Sequence, residues 1–240
     1  MYQIRSAVKR ELPYCIWDIQ RELNGTAVQF DTRVPKGRVL SILLAEDRDG
    51  LQAYLGVSQA AQNISPWAGG QLPMLEPVSN RAGYKLLEAL KIFDIHLRRG
   101  DHALDLGAAP GAWTTLLRRR GVRVTAVAPT PMYPWLMFDS NVIYHPVRAE
   151  VFLDQCQMSF DLIVNDMWLD VRDSARLMLD YSRHLRAEGI AIMTLKLHGR
   201  NIERNMDHAF RILRKAYKII RVRQLVSNRK EVTLFLRRKT

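Results

Sequence analysis

Residues 101–113, DHALDLGAAPGAW, have the composition of a ligand-binding turn between a strand and a helix. Gly107 and Gly111 lack a Cβ and would let a ligand approach the backbone. Pro110 suits the first position of the following helix, because its missing N–H costs nothing there. The free N–H groups at the start of that helix could hold a carboxylate or another anionic group. The same turn could be a plain strand-to-helix corner, so other features must support a nucleotide-type ligand site.

Three ionisable residues that are distant in the sequence are predicted to meet at one edge of a sheet. Asp166 ends the apolar run FDLIVND, and Lys196 lies near the end of GIAIMTLKL. Ligands of open α/β sheets bind at the carboxyl ends of the strands. Glu231 begins EVTLFLRR, and an antiparallel strand would start at that same edge. Singly, these residues could be a helix cap, a snorkelling lysine and a hairpin charge. Their convergence beside the glycine turn indicates a functional site.

The elements that position these residues follow from the hydrophobic pattern. From residue 79 onward, apolar runs alternate with segments of helical periodicity, which predicts a mostly parallel, doubly wound α/β sheet. The predicted strands are 102–106, 122–128, 141–147, 160–166 and 189–197, and the predicted helices are 81–93, 112–120, 171–187 and 201–217. The last two apolar runs, KIIRVRQLV and EVTLFLRR, are joined only by SNRK and should form an antiparallel hairpin. This combination is typical of a Rossmann-like methyltransferase fold.

Residues 1–75 have a different pattern. VLSILLA (39–45) and LQAYLGV (51–57) flank the turn EDRDG and predict a β-hairpin. The following QNISPWAGGQLPMLEP is rich in proline and glycine, which favours a loop or linker. We therefore predict a small β-containing N-terminal appendage over residues 1–75 and a Rossmann-like methyltransferase domain over residues 76–240.

Composition restricts the class of protein. The 240 residues, 48% of them hydrophobic, suffice for the core of one α/β domain with an appendage. No apolar run reaches membrane-spanning length and MYQIRSAVKREL lacks a signal-peptide core, so we expect no membrane partner. Cys15 and Cys156 match no metal-ligand spacing. We expect a reduced, cytoplasmic protein without a metal.

The charge balance points to nucleic acid. The chain has 36 Lys and Arg residues against 24 Asp and Glu residues, a net charge of +12. Thirteen of the basic residues lie in the segment 200–240. They could be a solvated helix face and a basic tail, but their spread over a helix, a hairpin and a terminus favours a phosphate-binding surface.

Five motifs give the chain a family resemblance over residues 39–240. RAGYKLLEA, DLGAAPGAW, FDLIVNDM, GIAIMTLKL and NRKEVTLFLRR occur in the order found in the FtsJ-like RNA 2′-O-ribose methyltransferases, which this chain resembles. The resemblance implies S-adenosylmethionine as cofactor and RNA as partner. SPWAGG, KLLEA and RKEVTLFLRR are similar to motifs of the family members that methylate a cytidine ribose of large-subunit ribosomal RNA. Ribosomal RNA is therefore the expected substrate, and the longer N-terminal RNA-binding region of those members is expected to be absent.

The resemblance also implies a catalytic tetrad of Lys85, Asp166, Lys196 and Glu231. Lys196 would be the general base that takes the proton of the ribose 2′-hydroxyl. A lysine accepts a proton only when it is neutral, so the pKa of Lys196 would have to fall. Burial and the neighbouring cation Lys85 would lower this pKa, whereas the two carboxylates would raise it.

The predicted cofactor contacts follow the glycine turn and the strand ends. They are Gly107, Ala109, Pro110, Gly111, Trp113, Ala128, Glu150 and Asp166. Two positions depart from the usual pattern. An acid normally ends the second strand of the domain and binds the cofactor ribose, but Ala128 stands there. Another acid is expected near the end of the third strand, where the sequence offers Arg148 or, slightly displaced, Glu150.

Two other classes remain open. One is an RNA-binding protein that keeps the fold with a weakened cofactor site, which Ala128 favours and the cost of burying Lys196 opposes. The other is a methyltransferase that acts on a base or a protein side chain. NDMW distantly resembles the Asn/Asp-Pro-Pro-aromatic motif of amino-methylating enzymes, but Lys196 would then have no role.

Overall fold

The computed structural model describes residues 38–47, 50–59, 80–198, 201–225 and 227–239. The chain divides into two compact units, Met1–Leu75 and Glu76–Thr240. In the first unit, β1 (Arg38–Asp47) pairs with β2 (Gly50–Gln59) in an antiparallel two-stranded sheet. The predicted hairpin is present and its strands are longer than predicted. The predicted linker between residues 62 and 77 lies outside the described residues.

The second unit contains a seven-stranded sheet with helices. Its strands are β3 (His102–Leu106), β4 (Arg123–Val127), β5 (Val142–His145), β6 (Phe160–Asn165), β7 (Leu185–Lys196), β8 (Tyr217–Arg223) and β9 (Glu231–Arg238). Its α-helices are α1 (Arg81–Ile92), α2 (Ala112–Arg119), α3 (Pro134–Met137), α4 (Ala149–Gln155), α5 (Val171–Tyr181) and α6 (Ile202–Leu213). The strand order is β5-β4-β3-β6-β7-β9-β8, and β9 runs antiparallel to both of its neighbours. The predicted mostly parallel sheet with a terminal antiparallel hairpin is confirmed.

Side chains of the central strands alternate between two hydrophobic cores. Leu104 and Leu106 of β3 belong to a core that includes residues of α5 and α6. Ala103, which points to the opposite face of the sheet, belongs to a second core with residues of α1 and α2. Since successive residues of a strand point to opposite faces, this pattern places helices on both sides of the sheet.

The turn after β3 faces the turn after β6. These two strands pair in parallel with Leu106 opposite Asn165, and β4 lies on the other side of β3. Strands β4 and β5 are thus added on one side of β3, and β6 and β7 on the other. Open α/β sheets form a crevice for ligands where the strand order reverses in this way. None of the helices in the described parts of the chain is long and apolar enough to cross a membrane.

The start of α2 differs from the prediction. The helix begins at Ala112, and its N-cap Gly111 has a φ of 118°, in the left-handed region. Pro110 therefore belongs to the turn and does not occupy the first helical position, so that part of the prediction is wrong. Glycine is needed at the cap because other residues rarely adopt this backbone conformation.

Several other boundaries also differ. Helix α5 ends at Tyr181 instead of reaching 187, because Leu185 already pairs with Phe160 in the sheet. Helix α6 ends at Leu213, and Tyr217, predicted as its last residue, begins β8. The short helices α3 and α4 were not predicted, since each is too short to show a helical hydrophobic period.

Candidate active site

Lys196 and two carboxylates form the centre of a buried ionic cluster at the carboxyl edge of the sheet. In the antiparallel pairing of β7 and β9, Lys196 lies directly opposite Glu231. Its Nζ is 2.5 Å from Glu231 Oε2 and 2.6 Å from Asp166 Oδ1. The three residues that the sequence placed at one edge are therefore in direct contact.

Lys85 completes the cluster from helix α1. Its Nζ lies 2.7 Å from Glu231 Oε1 and 3.1 Å from each carboxylate oxygen of Asp166. Each carboxylate thus contacts both lysines, and the two positive charges balance the two negative ones. Hydrogen bonds hold the start of this helix in place: Asn80 Oδ1 accepts from the backbone N–H of Ala82, whose carbonyl accepts from Trp113 Nε1.

Thr194 is a member of this cluster that the sequence did not reveal. Its hydroxyl donates to Asp166 Oδ1 at 2.7 Å and accepts from Lys196 Nζ at 2.8 Å. Residues two apart on a strand share a face, so the Thr-x-Lys spacing in TLK was the available signal. The Lys196 ammonium has three N–H donors, and it has an acceptor on each of three residues.

Burial makes these charges depend on one another. The side chains of Lys196 and Glu231 are only 4% and 7% exposed. Burial disfavours the charged form of Glu231, but the hydrogen bonds and charges of Lys196 and Lys85 outweigh it and lower the pKa of that carboxyl to about 2. Burial also disfavours a charge on Lys85, yet Asp166 and Glu231 together raise its pKa. Glu231 and Lys85 are therefore both charged at neutral pH.

A cavity adjoins the cluster at the turn after β3. It is lined by Ala82, Asp105, Gly107, Ala108, Ala109, Pro110, Ala112, Trp113 and Asp166. Five of the predicted cofactor contacts, Gly107, Ala109, Pro110, Trp113 and Asp166, line this cavity. Asp166 belongs both to the cavity and to the ionic cluster, so a ligand in the cavity has one end beside the lysines.

Packing and backbone conformation also require the two glycines of the turn. A Cβ on Gly107 would lie 2.3 Å from Met167 Cγ, and one on Gly111 would lie 2.2 Å from Leu136 Cδ1. Both residues also have positive φ, +74° and +118°. Protein side chains occupy the space that an added Cβ would take, so backbone conformation and packing require glycine at both positions. Contact of these two glycines with a cofactor remains a prediction.

Three predicted cofactor contacts, Gly111, Ala128 and Glu150, are not among the residues that line the cavity. Ala128 is buried just after β4, where its carbonyl accepts a hydrogen bond from the Tyr144 hydroxyl. Glu150 lies in the first turn of α4 and is exposed, and Arg148, the other candidate for that position, is the N-cap of α4. Neither Ala128 nor Glu150 lines the cavity, and their contact with a cofactor remains a prediction.

Asp105 is a cavity residue that the sequence reasoning missed. It is buried, and the Thr114 hydroxyl donates to its Oδ2 at 2.7 Å. Burial raises the pKa of Asp105 to about 7, and the charge of Asp166 acts in the same direction. A strongly shifted carboxyl in a cleft is a candidate functional group. The available signal was a single acid inside the apolar run HALDL.

The arrangement combines two chemical capabilities. The cavity offers carboxylates to a cationic group and the N-terminus of α2 to an anionic one. The adjoining cluster holds a lysine amine whose position and proton are controlled by hydrogen bonds to three residues. A reaction that brings a proton-donating hydroxyl to a bound cationic cofactor suits this pair of sites.

The sequence of this chain is similar to the sequences of known proteins. Residues 78–218 match the model of the FtsJ-like methyltransferase family. The chain is 35% identical over 177 residues to the ribosomal RNA large subunit methyltransferase M of Halorhodospira halophila, covering 72% of this chain and 51% of that protein. It is 38% identical over 161 residues to the protein of the same name in Marinobacter nauticus, covering 63% of this chain and 43% of that one. The chain thus spans about half the length of these relatives.

Solved structures share the fold at low sequence identity. A putative hemolysin from Lactococcus lactis superposes with a TM-score of 0.57 at 16% identity, covering 68% of this chain and 89% of that one. The fibrillarin pre-rRNA processing protein of Methanococcus jannaschii gives a TM-score of 0.53 at 14% identity, covering 89% of this chain and 86% of that one.

Because residues 78–218 match the family model, this chain belongs to the FtsJ-like methyltransferase family.

Proposed function

We propose that this FtsJ-like protein is an S-adenosylmethionine-dependent methyltransferase that modifies a ribose 2′-hydroxyl of ribosomal RNA. The observation that carries the proposal is the contact of Asp166 with both lysines at the mouth of the cavity. A site of this kind can hold a methyl donor and deprotonate an alcohol at adjoining positions.

The residues around the cavity fit the chemical groups of the cofactor. S-adenosylmethionine, when bound, supplies an electrophilic methyl group. Its ammonium group would be held by the Asp105 carboxylate, and its carboxylate by backbone N–H groups at the start of α2, where Gly111 provides no capping side chain. Asp166 would lie at the sulfonium end, next to Lys196.

Lys196 would accept the proton of the 2′-hydroxyl. A ribose hydroxyl is a weak nucleophile at neutral pH, so a base within hydrogen-bond reach is needed. Asp166, Glu231 and Thr194 fix the position of Nζ. Lys85 contacts both carboxylates and offsets part of their negative charge.

The identity of the substrate is supported by charge and by the relatives. A net charge of +12 suits a polyanionic substrate. The relatives are named as methyltransferases of large-subunit ribosomal RNA. A 2′-hydroxyl acceptor also requires RNA, since DNA lacks that group.

The test is methyl transfer with mapping of the product. The purified chain is incubated with S-adenosylmethionine carrying a labelled methyl group and with ribosomal RNA from cells lacking this protein. We expect label on one ribose, resistant to alkaline cleavage at that position, and none with the Lys196→Arg variant. Label on a base or on protein, or binding of both ligands without any transfer by the wild type, would overturn the proposal.

A further inference from the structure

Two aromatic side chains beside the ionic cluster are exposed and packed on each other. The rings of Trp168 and His198 have centroids 4.3 Å apart with an angle of 33° between their planes. Trp168 is 74% exposed, and His198 is also exposed. Neither ring contributes to the hydrophobic cores, so the stability of the fold does not explain why they are there.

Their position ties them to the candidate active site. Trp168 follows Asp166 by two residues, and His198 follows Lys196 by two residues. Strands β6 and β7 are parallel neighbours, so both rings lie at the carboxyl edge that carries the ionic cluster. The backbone N–H of Leu197 donates to the carbonyl of Lys230 at 2.7 Å, so the backbone of this exposed lysine adjoins the residue that precedes His198.

An exposed aromatic pair next to a cation is suited to single-stranded nucleic acid. Every nucleobase has a π-face that stacks on an aromatic ring, while a neighbouring lysine attracts the phosphate. The net charge of +12 favours a polyanion such as RNA over a partner protein that carries few acidic residues.

We propose that Trp168 and His198 form a stacking platform for the base of the nucleotide whose ribose is methylated. This inference rests on the proposed function. In a nucleotide the base is attached to C1′, which is bonded to C2′, the carbon that bears the reacting oxygen. When that oxygen reaches Lys196 Nζ, the base therefore lies only a few bonds away, at the edge where the two rings stand. The platform is a positioning device and takes no part in proton transfer.

The experiment measures whether RNA binding depends on bases through this platform. The probes are a ten-nucleotide oligoadenylate and a ten-unit abasic ribose-phosphate chain of equal charge, each with a fluorophore and at one fixed salt concentration. The variants are Trp168→Ala, Trp168→Phe and His198→Ala. The matched control is Phe138→Ala, which removes another exposed aromatic ring, 89% exposed, at the end of α3.

We expect the wild type to bind the base-bearing probe about 5- to 150-fold more tightly than the abasic one, the range for stacking of one base. Trp168→Ala should lose most of this preference, His198→Ala a part of it, and Trp168→Phe and Phe138→Ala should keep it. Trp168→Ala should also raise the KM for RNA in methyl transfer, while the affinity for the cofactor stays unchanged.

Three results would overturn the platform. The first is the absence of a base preference in the wild type. The second is an unchanged base preference in Trp168→Ala, including an equal loss of affinity for both probes. The third is a change from oligomer to monomer in Trp168→Ala, which would mean that a second copy of the chain covers the rings. The binding assay needs no turnover. A wild type that shows a Trp168-dependent base preference but methylates no RNA would therefore overturn the proposed function and leave the two rings as a base-binding surface only.

Discussion

Lys196, the last residue of β7, and Glu231, the first residue of β9, are direct cross-strand partners, with 2.5 Å between Nζ and Oε2. Their contact depends on the register of two strands that are far apart in the sequence. A slip of one residue would turn Glu231 to the other face of the sheet. The register of the terminal hairpin is therefore a condition for assembling the ionic cluster.

Replacement of Lys196 by arginine tests its role as a base. A guanidinium stays protonated and cannot accept the hydroxyl proton, so Lys196→Arg should reduce the rate of methyl transfer by at least about 100-fold. Cofactor and RNA affinities should stay within a few-fold, as measured by calorimetry and filter binding. In the wild type, the single-turnover rate should rise with pH and then level off. An active and folded Lys196→Arg protein would exclude the general-base role.

Loss of the Glu231 charge should destabilise the fold in a pH-dependent way. Because the pKa of Glu231 is lowered from 4.5 to about 2, its contribution is fully present above pH 4.5 and disappears as the pH falls toward 2. Glu231→Gln should therefore lower the free energy of unfolding by about 3 kcal/mol at pH 7 and by much less near pH 3. Urea titrations at both pH values measure this difference.

A surface glutamate provides the control for that measurement. Glu188 lies 3.7 Å from Arg237, with side chains 62% and 47% exposed. Glu188→Gln should change the free energy of unfolding by less than about 1 kcal/mol. Equal effects of the two substitutions would contradict a special role for the buried pair.

Asp105 should show the opposite pH dependence. The pKa of Asp105 is raised from 3.8 to about 7, so its favourable contribution is present below pH 3.8 and is lost as the pH rises through 7. Asp105→Asn should therefore gain stability relative to the wild type between pH 5 and pH 8, by up to about 4 kcal/mol. The same variant should bind S-adenosylmethionine at least about tenfold more weakly, since a charged partner is lost. A stability difference that is constant with pH would contradict this account.

The glycine turn can be tested with a matched pair of substitutions. Gly107 and Gly100 both have positive φ, +74° and +90°, but an added Cβ meets Met167 at Gly107 and nothing within 4 Å at Gly100. Both Gly→Ala variants should lose about 1–2 kcal/mol through backbone strain. Only Gly107→Ala should also weaken S-adenosylmethionine binding, because the displaced Met167 adjoins the cavity residue Asp166. If a folded Gly107→Ala protein binds S-adenosylmethionine with unchanged affinity, the turn is not part of the cofactor site.

RNA affinity should depend steeply on salt. About five phosphate contacts on single-stranded RNA correspond to a slope of about −3.5 for log affinity against log salt, or a ~100-fold loss between 50 and 200 mM. Arg229 and Lys230 are exposed next to β9, and their joint replacement by alanine should reduce the slope by about 1.4. A nearly flat dependence in the wild type would contradict an electrostatic RNA surface.

The fold and the meeting of three site residues were predictable from local patterns. Alternating apolar runs and helical periods determined the order of strands and helices, and the short SNRK connection determined the terminal hairpin. Since carboxyl ends of parallel strands share an edge, Asp166 and Lys196 could be placed together, with Glu231 beside them. Lys85 came only from the family resemblance, because nothing in a helical period indicates which residue faces a distant strand.

Tertiary structure alone decided the contacts. The bridging of both lysines by both carboxylates, the bond from Thr194 to Asp166 and the packing of Trp168 on His198 join segments that are far apart in the chain. The burial of Asp105 depends on how the elements around it pack. Strand and helix periods describe which way a side chain points within its own element. The distances between elements depend on sheet register and on the packing of helices against the sheet, and these arise from the combined contacts of the whole domain.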